Sequence, residues 1–319
     1  MLNAVGCVES VKQRTLKESV TYVGRGLHTG RRVTMRLRAG AENGGIYFVR
    51  NDHPARKVII PARWYNTIDT KYCTVLGSQH GISVGTVEHI MAALRGCGID
   101  NAVIELDGPE VPIIDGSAEP FVGLLEHVGS VAQTKPRYVI HVRRPIVVRS
   151  GEKFAVLMPA RVPRITVEID FPQRAIGRQK FSFPLAGNAF KNAVAPARTF
   201  GFADELQQLR RQGLALGGSL KNAVLVDGDR VVNREGLRFD DEFARHKALD
   251  CLGDLALAGA PIHGHFFGYK SGHSLNHALV RQLFIERAAW TYRTADELVV
   301  NDGNRTEAVE SDRSARAAG

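Results

Sequence analysis

The same order of strand and helix patterns occurs twice along this chain, and that repeat limits the folds it can adopt. Each half predicts strands, then a helix, a further strand and a second helix. In the first half, alternating apolar and polar residues predict strands at 33–39 and 57–64; the other elements are a helix at 86–96, a buried strand at 101–108 and a helix at 119–129.

The second half begins with more strands before its long helix. Its predicted elements are strands at 138–142, 145–150, 154–160 and 165–171, an exposed helix at 203–213, a hairpin at 222–233 turning at Asp227-Gly228, a long helix at 241–259, a strand at 265–271 and a last helix at 273–290. This order predicts an α+β protein of two domains with similar topology. The prediction rests on element order alone, because no residue-level repeat is evident.

The domain boundaries follow from where these patterns begin and end. We expect a first α+β domain at 12–134 and a second at 135–293, with a loop around 134–136 between them. Residues 1–11 predict a flexible extension. Residues 294–319 are polar and rich in small residues, which predicts a disordered tail.

Composition restricts the kinds of protein to which the chain can belong. No run approaches the roughly 18 apolar residues of a membrane-spanning helix, and the N-terminus has no secretory signal pattern. The four cysteines are scattered without C-x-x-C spacing, which suits a reducing compartment. We therefore expect a cytoplasmic protein that does not span a membrane.

The net charge of +9 favours an anionic partner such as nucleic acid or a phosphorylated substrate. Nucleic-acid binding is thus an alternative function. It predicts clustered Lys and Arg with interleaved aromatic residues, and the sequence shows neither, so no nucleic-acid partner is expected.

The helix predicted at 241–259 carries the first candidate metal ligands. His246, Asp250 and Asp254 are spaced four apart and share one face, with Lys247 beside them. Side chains four apart on a helix have Cβ atoms about 5–6 Å apart, so His246 and Asp250 can reach one ion. The same spacing also suits a hydrogen-bonded His–Asp pair, and spacing alone does not decide between the two.

A third ligand must come from another element. Glu88-His89 would supply both a ligand and an adjacent carboxylate, as a zinc hydrolase requires. His263 and His265, alternate residues on a strand, are the rival pair. The other histidines outside the last helix have no chemical context and are expected to be structural or surface residues: His28, His53, His80, His127 and His141.

His273 follows Ser271-Gly272 at a predicted strand-to-helix turn. A helix N-terminus disfavours imidazolium, so a cationic role for His273 would require a carboxylate partner. Asp254 is the candidate partner, and His277 is the alternative to His273.

Together these segments resemble one family, the UDP-3-O-acyl-N-acetylglucosamine deacetylases of lipid A (lipopolysaccharide) biosynthesis in Gram-negative bacteria. The resemblance runs from about Lys12 to Tyr292. Its motifs are KQRTLK (12–17), GRGLHTG (24–30), TVEHIMAAL (86–94), GIDN (98–101), PIIDGSAEPFV (112–122), ARTFGF (197–202), GLALGGS (213–219), GLRFDDEFARHKALDCLGDL (236–255) and YKSGHSLNHAL (269–279).

The resemblance implies a role for each matched candidate. It makes His89, His246 and Asp250 the ligands of one Zn²⁺ per chain, with water as the fourth ligand and Fe²⁺ as an alternative metal in the cell. It makes Glu88 the general base that activates this water. His263 and His265 fall where variable residues are expected in this family, which weakens the rival metal pair.

The remaining catalytic roles are implied in the same way. His273, paired with Asp254, would stabilise the transition state and protonate the leaving amine. Thr199 would donate its hydroxyl to the oxyanion, and Lys247 and Lys270 would help to place the substrate and its diphosphate. Phosphate binding is also suggested for Arg143, and the resemblance implies an acyl-chain passage lined by Phe200, Leu206, Ala215 and Gly218.

The expected reaction is hydrolysis of the 2-acetamido group of a UDP-linked acylated N-acetylglucosamine. The family fold implies two α+β domains, with sheets packed against helices in a sandwich and the active site between them. We expect a monomer. An amidohydrolase acting on another amide is the second alternative, since it would keep the metal chemistry and change the substrate.

Overall fold

The computed structural model describes residues 11–52 and 57–298. The first half contains these elements: β1 (Lys12–Leu16), β2 (Val20–Arg25), β3 (Arg32–Ala39), β4 (Ile46–Arg50), β5 (Val58–Pro61), β6 (Thr67–Asp69), β7 (Val75–Gly77), β8 (Ser83–Val84), α1 (Glu88–Gly96), β9 (Ala102–Leu106), α2 (Glu119–Val128) and β10 (Ser130–Pro136).

The second half is longer, and its strands alternate with helices. Its elements are β11 (Tyr138–Val142), β12 (Ile146–Ser150), β13 (Lys153–Met158), β14 (Arg164–Asp170), β15 (Arg178–Pro184), α3 (Ala189–Ala193), β16 (Phe200–Phe202), α4 (Ala203–Arg211), β17 (Val224–Asp227), β18 (Arg230–Val231), α5 (Glu242–Ala256), β19 (Ile262–His263), β20 (His265–Tyr269), α6 (His273–Ile285) and β21 (Trp290–Thr294).

Each half is built on a five-stranded sheet with the same connectivity. The strand orders are β2-β3-β9-β4-β5 and β12-β13-β20-β14-β15, so in both sheets the last strand in sequence occupies the middle. In both sheets this middle strand pairs antiparallel on one side and parallel on the other. The predicted α+β class and the similar topology of the halves are therefore confirmed.

Alternating burial explains how these strands form one face of a core. In β3, Val33, Met35 and Leu37 are buried, and the residues between them are more exposed. β14 instead buries all five residues from Ile165 to Ile169, as expected for an interior strand covered on both faces. A single apolar cluster connects both sheets with α1, α2, α5 and α6.

The helices of the two halves meet at the crossing of α1 and α5. Gly253 lies at this crossing, and a Cβ atom there would be 2.0 Å from the carbonyl oxygen of Glu88. Only a glycine allows the two helix backbones to approach so closely. This contact positions the residues of the candidate site.

Smaller sheets complete the fold, in the orders β1-β10, β6-β7-β8, β16-β17-β18 and β19-β11-β21. Two short 3-10 turns lie at Trp64–Asn66 and Arg287–Ala289. Within the described residues, no helix combines the length and the apolar character needed to cross a membrane.

The predicted elements differ from the structure at three places. The expected loop at 134–136 belongs to β10, which pairs with β1. The last helix ends at Ile285 rather than at 290, because Trp290 begins β21 and pairs with β11. Residues 294–298, which the prediction places in the tail, are among the described residues: Thr294 pairs with Tyr138, and Ala295 is buried. The other residues of the predicted extension and tail, 1–10 and 299–319, lie outside the described residues.

Candidate metal centre and catalytic site

The crossing of α1 and α5 brings the predicted ligands together. His89 comes from the first turn of α1, and His246 and Asp250 come from successive turns of α5. Their ligand atoms all lie within 4.8 Å of one another, and the described residues contain no other such group. The predicted His263–His265 pair is not part of a similar cluster.

The donor atoms of this cluster point towards a common space. Oδ1 of Asp250 lies 3.2 Å from Nε2 of His246 and 3.6 Å from Nε2 of His89. The Nδ1–H group of His246 donates a hydrogen bond of 3.0 Å to the carbonyl of Ala197, which fixes the ring and leaves Nε2 facing Asp250.

The chemistry of this donor set fits a divalent cation. His89, His246 and Asp250 are at most 3% exposed, and within the described part of the chain Oδ1 of Asp250 has no hydrogen-bond donor. An unpaired buried carboxylate oxygen is costly, and a metal ion would satisfy it. Two imidazoles and a carboxylate are a common zinc ligand set that leaves a fourth position open.

Protonation in the cluster also suits metal binding. Burial lowers the pKa of His246 to about 3, so its imidazole is neutral. Burial opposes ionisation of Asp250, but the neighbouring His246 and the charge of Lys247 hold its pKa well below the usual value. The Nζ atom of Lys247 binds Oδ2 of Asp250 at 2.7 Å, so the lysine holds the carboxylate oxygen that faces away from the two imidazoles.

Glu88 lies beside the cluster at the start of α1. Its Oε2 accepts the backbone N–H of Thr74 at 3.0 Å, and its Oε1 lies 3.9 Å from Nε2 of His273. Burial raises the pKa of Glu88, which brings a carboxylate towards the range useful for a general base.

His273 and Asp254 form the predicted pair. Nδ1 of His273 donates to Oδ2 of Asp254 at 2.9 Å, and Nε2 faces the cluster, 3.9 Å from Oδ2 of Asp250. Burial alone would lower the pKa of His273, but the negative charge of Asp254 raises it to about 9. His273 is therefore a protonated donor at neutral pH.

Four donors surround the carboxylate of Asp254. Oδ2 accepts from His273 and from Nδ2 of Asn276, and Oδ1 lies 2.6 Å from the hydroxyl of Thr74 and 3.2 Å from Nε2 of His277. The positive charge of His273 and the hydrogen bonds from His273 and His277 overcome burial and lower the pKa of Asp254. His277, the alternative to His273 in the sequence, is thus a second partner of the same carboxylate.

A buried ion pair holds the segment that carries Thr199. The guanidinium of Arg198 binds Glu242 at the start of α5, and both side chains are at most 4% exposed. Thr199 itself is half-buried and lies two residues after Ala197, whose carbonyl binds His246. Phe200 packs edge-on against His246, with ring centroids 6.3 Å apart.

The remaining predicted substrate residues lie on other elements than the cluster. Leu206 is on α4, while Ala215 and Gly218 lie in the loop after it, where Leu216 and Gly217 bond to the backbone of the 24–30 segment. Lys270 is paired with Asp170 at 3.0 Å. Arg143 is exposed, and no contact recorded among the described residues connects it to the cluster.

The structure assigns different surroundings to the other histidines. His265 hydrogen-bonds Thr166, and His263 packs against His141. His80 and His127 are exposed, as expected, and His53 lies outside the described residues.

The expectation that His28 is a structural or surface residue overlooked its position near the site. Its backbone N–H donates to Glu110, and a cavity of about 430 Å³ that it lines also contains Cys73, the neighbour of Thr74. Burial lowers the pKa of His28.

Sequence reasoning also missed three residues that support the site. Thr86 has a φ of 57°, unusual for a β-branched residue, and its hydroxyl is held by Glu110 just before α1 begins. Helical spacing could have identified Asn276, because it lies three residues after His273 on the same helix face. No local pattern pointed to Thr74, which is connected to Asp254 across 180 positions.

Comparisons with known proteins agree with this geometry. The family model described as UDP-3-O-acyl N-acetylglycosamine deacetylase matches residues 13–285. Proteins named UDP-3-O-acyl-N-acetylglucosamine deacetylase are similar to this chain: one from Myxococcus xanthus is 47% identical over 88% of the chain and 89% of its own length. One from Syntrophotalea carbinolica is 46% identical (88% and 90% covered), and one from Vibrio parahaemolyticus 44% identical (91% and 95%).

Proposed function

The chain belongs to the UDP-3-O-acyl N-acetylglycosamine deacetylase family, and we propose that the cluster at the α1–α5 crossing carries out its reaction. The protein is a hydrolase that removes the acetyl group from the 2-amide of UDP-3-O-acyl-N-acetylglucosamine, a step of lipid A biosynthesis. The observation that carries the proposal is the convergence of a buried His-His-Asp set with Glu88 and His273.

Zinc is the metal we propose for His89, His246 and Asp250, one ion per chain, with ferrous iron as the alternative in the cell. When bound there, the metal acidifies water and polarises the amide carbonyl as a Lewis acid. The chain's own residues fix its position: Ala197 orients His246, and Lys247 occupies the second oxygen of Asp250.

Glu88 is the proposed general base. Its raised pKa lets the carboxylate accept the proton of the attacking water near neutral pH. Thr199 would donate its hydroxyl to the oxyanion that forms on the amide oxygen, and loss of one such donor typically lowers the rate by about 10²–10³.

His273 is the proposed acid. An amine leaves an amide only after its nitrogen gains a proton, and Nε2 of His273 faces the cluster in the protonated form. Asp254 holds Nδ1 and supplies the negative charge that keeps the ring protonated.

Substrate binding is proposed from the same positions. Lys270, Arg143 and Lys247 would attract the diphosphate, and an apolar passage would take the acyl chain along Phe200, Leu206, Ala215 and Gly218. We further propose that the protein acts as a monomer in the cytoplasm of a Gram-negative bacterium, with its domains at 12–134 and 135–293.

A paired assay tests the reaction and the residues. Deacetylation is measured with the UDP-linked acylated sugar and with its non-acylated analogue, alongside metal content per chain. We expect one zinc per chain, loss of activity on chelation and a strong preference for the acylated sugar. Equal rates on the two sugars would contradict the acyl passage and favour an amidohydrolase of another amide.

Variants separate the roles of the side chains. Glu88→Gln and His273→Gln should each lower kcat by at least about 10² while zinc content stays near one per chain. His127→Gln, on the exposed face of α2, is the matched control, and its kcat and zinc content should equal those of the wild type. Near wild-type rates in both site variants would contradict the assignment of base and acid.

A further inference from the structure

Thr74 lies just before β7 and is fully buried. Its backbone N–H donates to Oε2 of Glu88 at 3.0 Å, and its hydroxyl lies 2.6 Å from Oδ1 of Asp254. Glu88 belongs to α1 and Asp254 to α5, so one residue contacts both sides of the helix crossing.

The direction of the hydroxyl bond follows from the protonation of its partners. An ionised carboxylate only accepts hydrogen bonds, so Thr74 donates its proton to Asp254. The distance of 2.6 Å is typical of a charge-assisted O–H···O⁻ bond. The free lone pairs of the hydroxyl oxygen face Nε2 of His277 at 3.0 Å, which can donate to them.

The carboxylate of Asp254 is therefore held at both oxygens. Residues of α6, His273 and Asn276, hold Oδ2, whereas Oδ1 is held by Thr74 and by His277. Among these four partners, Thr74 is the one that comes from the first half of the chain. It also contacts the carboxylate of Glu88 directly.

We propose that Thr74 is a positioning residue that fixes the base, Glu88, and the acid, His273, relative to each other across the two halves of the molecule. The inference rests on the proposed roles of Glu88, Asp254 and His273. The backbone of Thr74 fixes the carboxylate of Glu88, and its hydroxyl fixes the plane of the Asp254 carboxylate that orients His273.

Loss of the hydroxyl has a specific consequence. Oδ1 of Asp254 would keep only His277, and the carboxylate could rotate about its Cβ–Cγ bond. The imidazole of His273 would then lose its fixed position, 3.9 Å from Oε1 of Glu88. An acid that is poorly aligned raises the barrier of the chemical step and leaves substrate binding unchanged, so kcat should fall at constant KM.

The test compares three variants. Thr74→Val keeps the shape and removes the hydroxyl, and Thr74→Ser restores it. Thr67→Val is the matched control, because the Thr67 hydroxyl faces the other nitrogen of His277, at 3.4 Å, and does not bind Asp254.

Thr74→Val should lower kcat by about 10- to 100-fold, the effect of losing one hydrogen bond to a charged group in the transition state. The KM and the zinc content of Thr74→Val should be unchanged. Thr67→Val should have wild-type activity, and Thr74→Ser should recover most of the rate. Equal activity of Thr74→Val and wild type would overturn the inference, as would a Thr74→Ser variant no better than Thr74→Val. If Thr74→Val does not fold, Thr74→Ala replaces it with the same expected outcome.

A double-mutant cycle with Asp254→Asn distinguishes this inference from the proposed function. If Thr74 acts through Asp254, adding Thr74→Val to Asp254→Asn should lower kcat little further. Fully additive losses would refute the positioning role and leave the proposed function intact. A wild-type rate for Asp254→Asn alone would instead remove the proposed role of Asp254, on which the inference depends.

Discussion

Gly253→Ala tests whether the close crossing of α1 and α5 sets the geometry of the site. The added Cβ would lie 2.0 Å from the carbonyl oxygen of Glu88 and 2.7 Å from its carbonyl carbon. Real Cβ contacts essentially never fall below 3.0 Å, so the helices must separate by about 1 Å. The atoms in contact are backbone atoms of a helix and cannot rotate away.

Two opposing effects determine the change in stability. Alanine favours a helix interior over glycine by about 1 kcal/mol. Overpacking a close-packed core typically destabilises by about 1–3 kcal/mol, and here the strain is shared by two backbones. We therefore expect a net loss of about 1–2 kcal/mol in the free energy of unfolding.

The effect on catalysis should be larger than the effect on stability. Separation of the helices moves Glu88 and His89 away from His246 and Asp250, and a misplacement of about 1 Å can lower a rate about 10²-fold. Urea unfolding measures the change in stability, and kcat/KM and zinc affinity measure the change at the site. We expect both activity and zinc affinity to fall.

Gly123→Ala is the matched control, because Gly123 is also helical and its added Cβ would have no atom within 4 Å apart from its chain neighbours and the backbone of its own helix. It should be slightly more stable than wild type, by about 0.5–1 kcal/mol, with unchanged activity. If Gly253→Ala behaved in the same way, the close crossing would not determine the site, and the reasoning would be refuted.

Three further outcomes are expected. The deacetylation rate should rise with pH as Glu88 ionises and fall as His273 loses its proton near pH 9. Asp254→Asn removes the charge that raises the pKa of His273, so the falling limb of the pH–kcat profile should move to lower pH. In the metal-free protein the folded-state pKa of His273, about 9, lies above its usual 6.5. The protonated ring therefore contributes fully to stability below pH 6.5, and this contribution is lost as the pH rises through 9. Urea unfolding midpoints measured across this pH range should show the loss. Glu242→Ala leaves the buried guanidinium of Arg198 without its main carboxylate and should reduce the free energy of unfolding by about 3–5 kcal/mol. A loss below about 1 kcal/mol in urea unfolding would show that this ion pair does not stabilise the fold.

Much of the fold could be predicted from local periodicity. The predicted bounds of α1 and α5 are within three residues of the observed ones, and β11 was predicted at 138–142 as observed. In α1 the apolar residues recur at helical spacing, and so its own sequence identifies it. β15 was missed because it is an edge strand that buries only Phe181 and Phe183 among polar residues.

Elements that depend on distant partners could not be predicted in this way. Trp290 continues a helical pattern in sequence, but it forms a strand because β11 offers an antiparallel partner. Tertiary pairing here overrides local propensity. The same reason explains the error at 134–136, where β1 recruits a polar segment into β10.

Part of the candidate site was visible in the sequence. Helical spacing placed His246, Asp250 and Asp254 on one face, and the structure brings them to His89 and His273. Spacing alone could not select His89 over other histidines, because that choice depends on how two helices cross. Thr74 and Glu110 act through contacts distant in sequence and had no local signal.

The connectivity of the two large sheets also constrains how the molecule can be synthesised. In each half, the strand that emerges last from the ribosome belongs in the middle of the sheet, so the earlier strands can form only separate hairpins until it arrives. Such non-local assembly slows folding. A chain truncated after Ala256 would keep His89, His246 and Asp250 in its sequence, but it would lack β20 and the continuous sheet that supports α5. Possession of the ligands is thus not sufficient for a metal centre, which requires a nearly complete polypeptide.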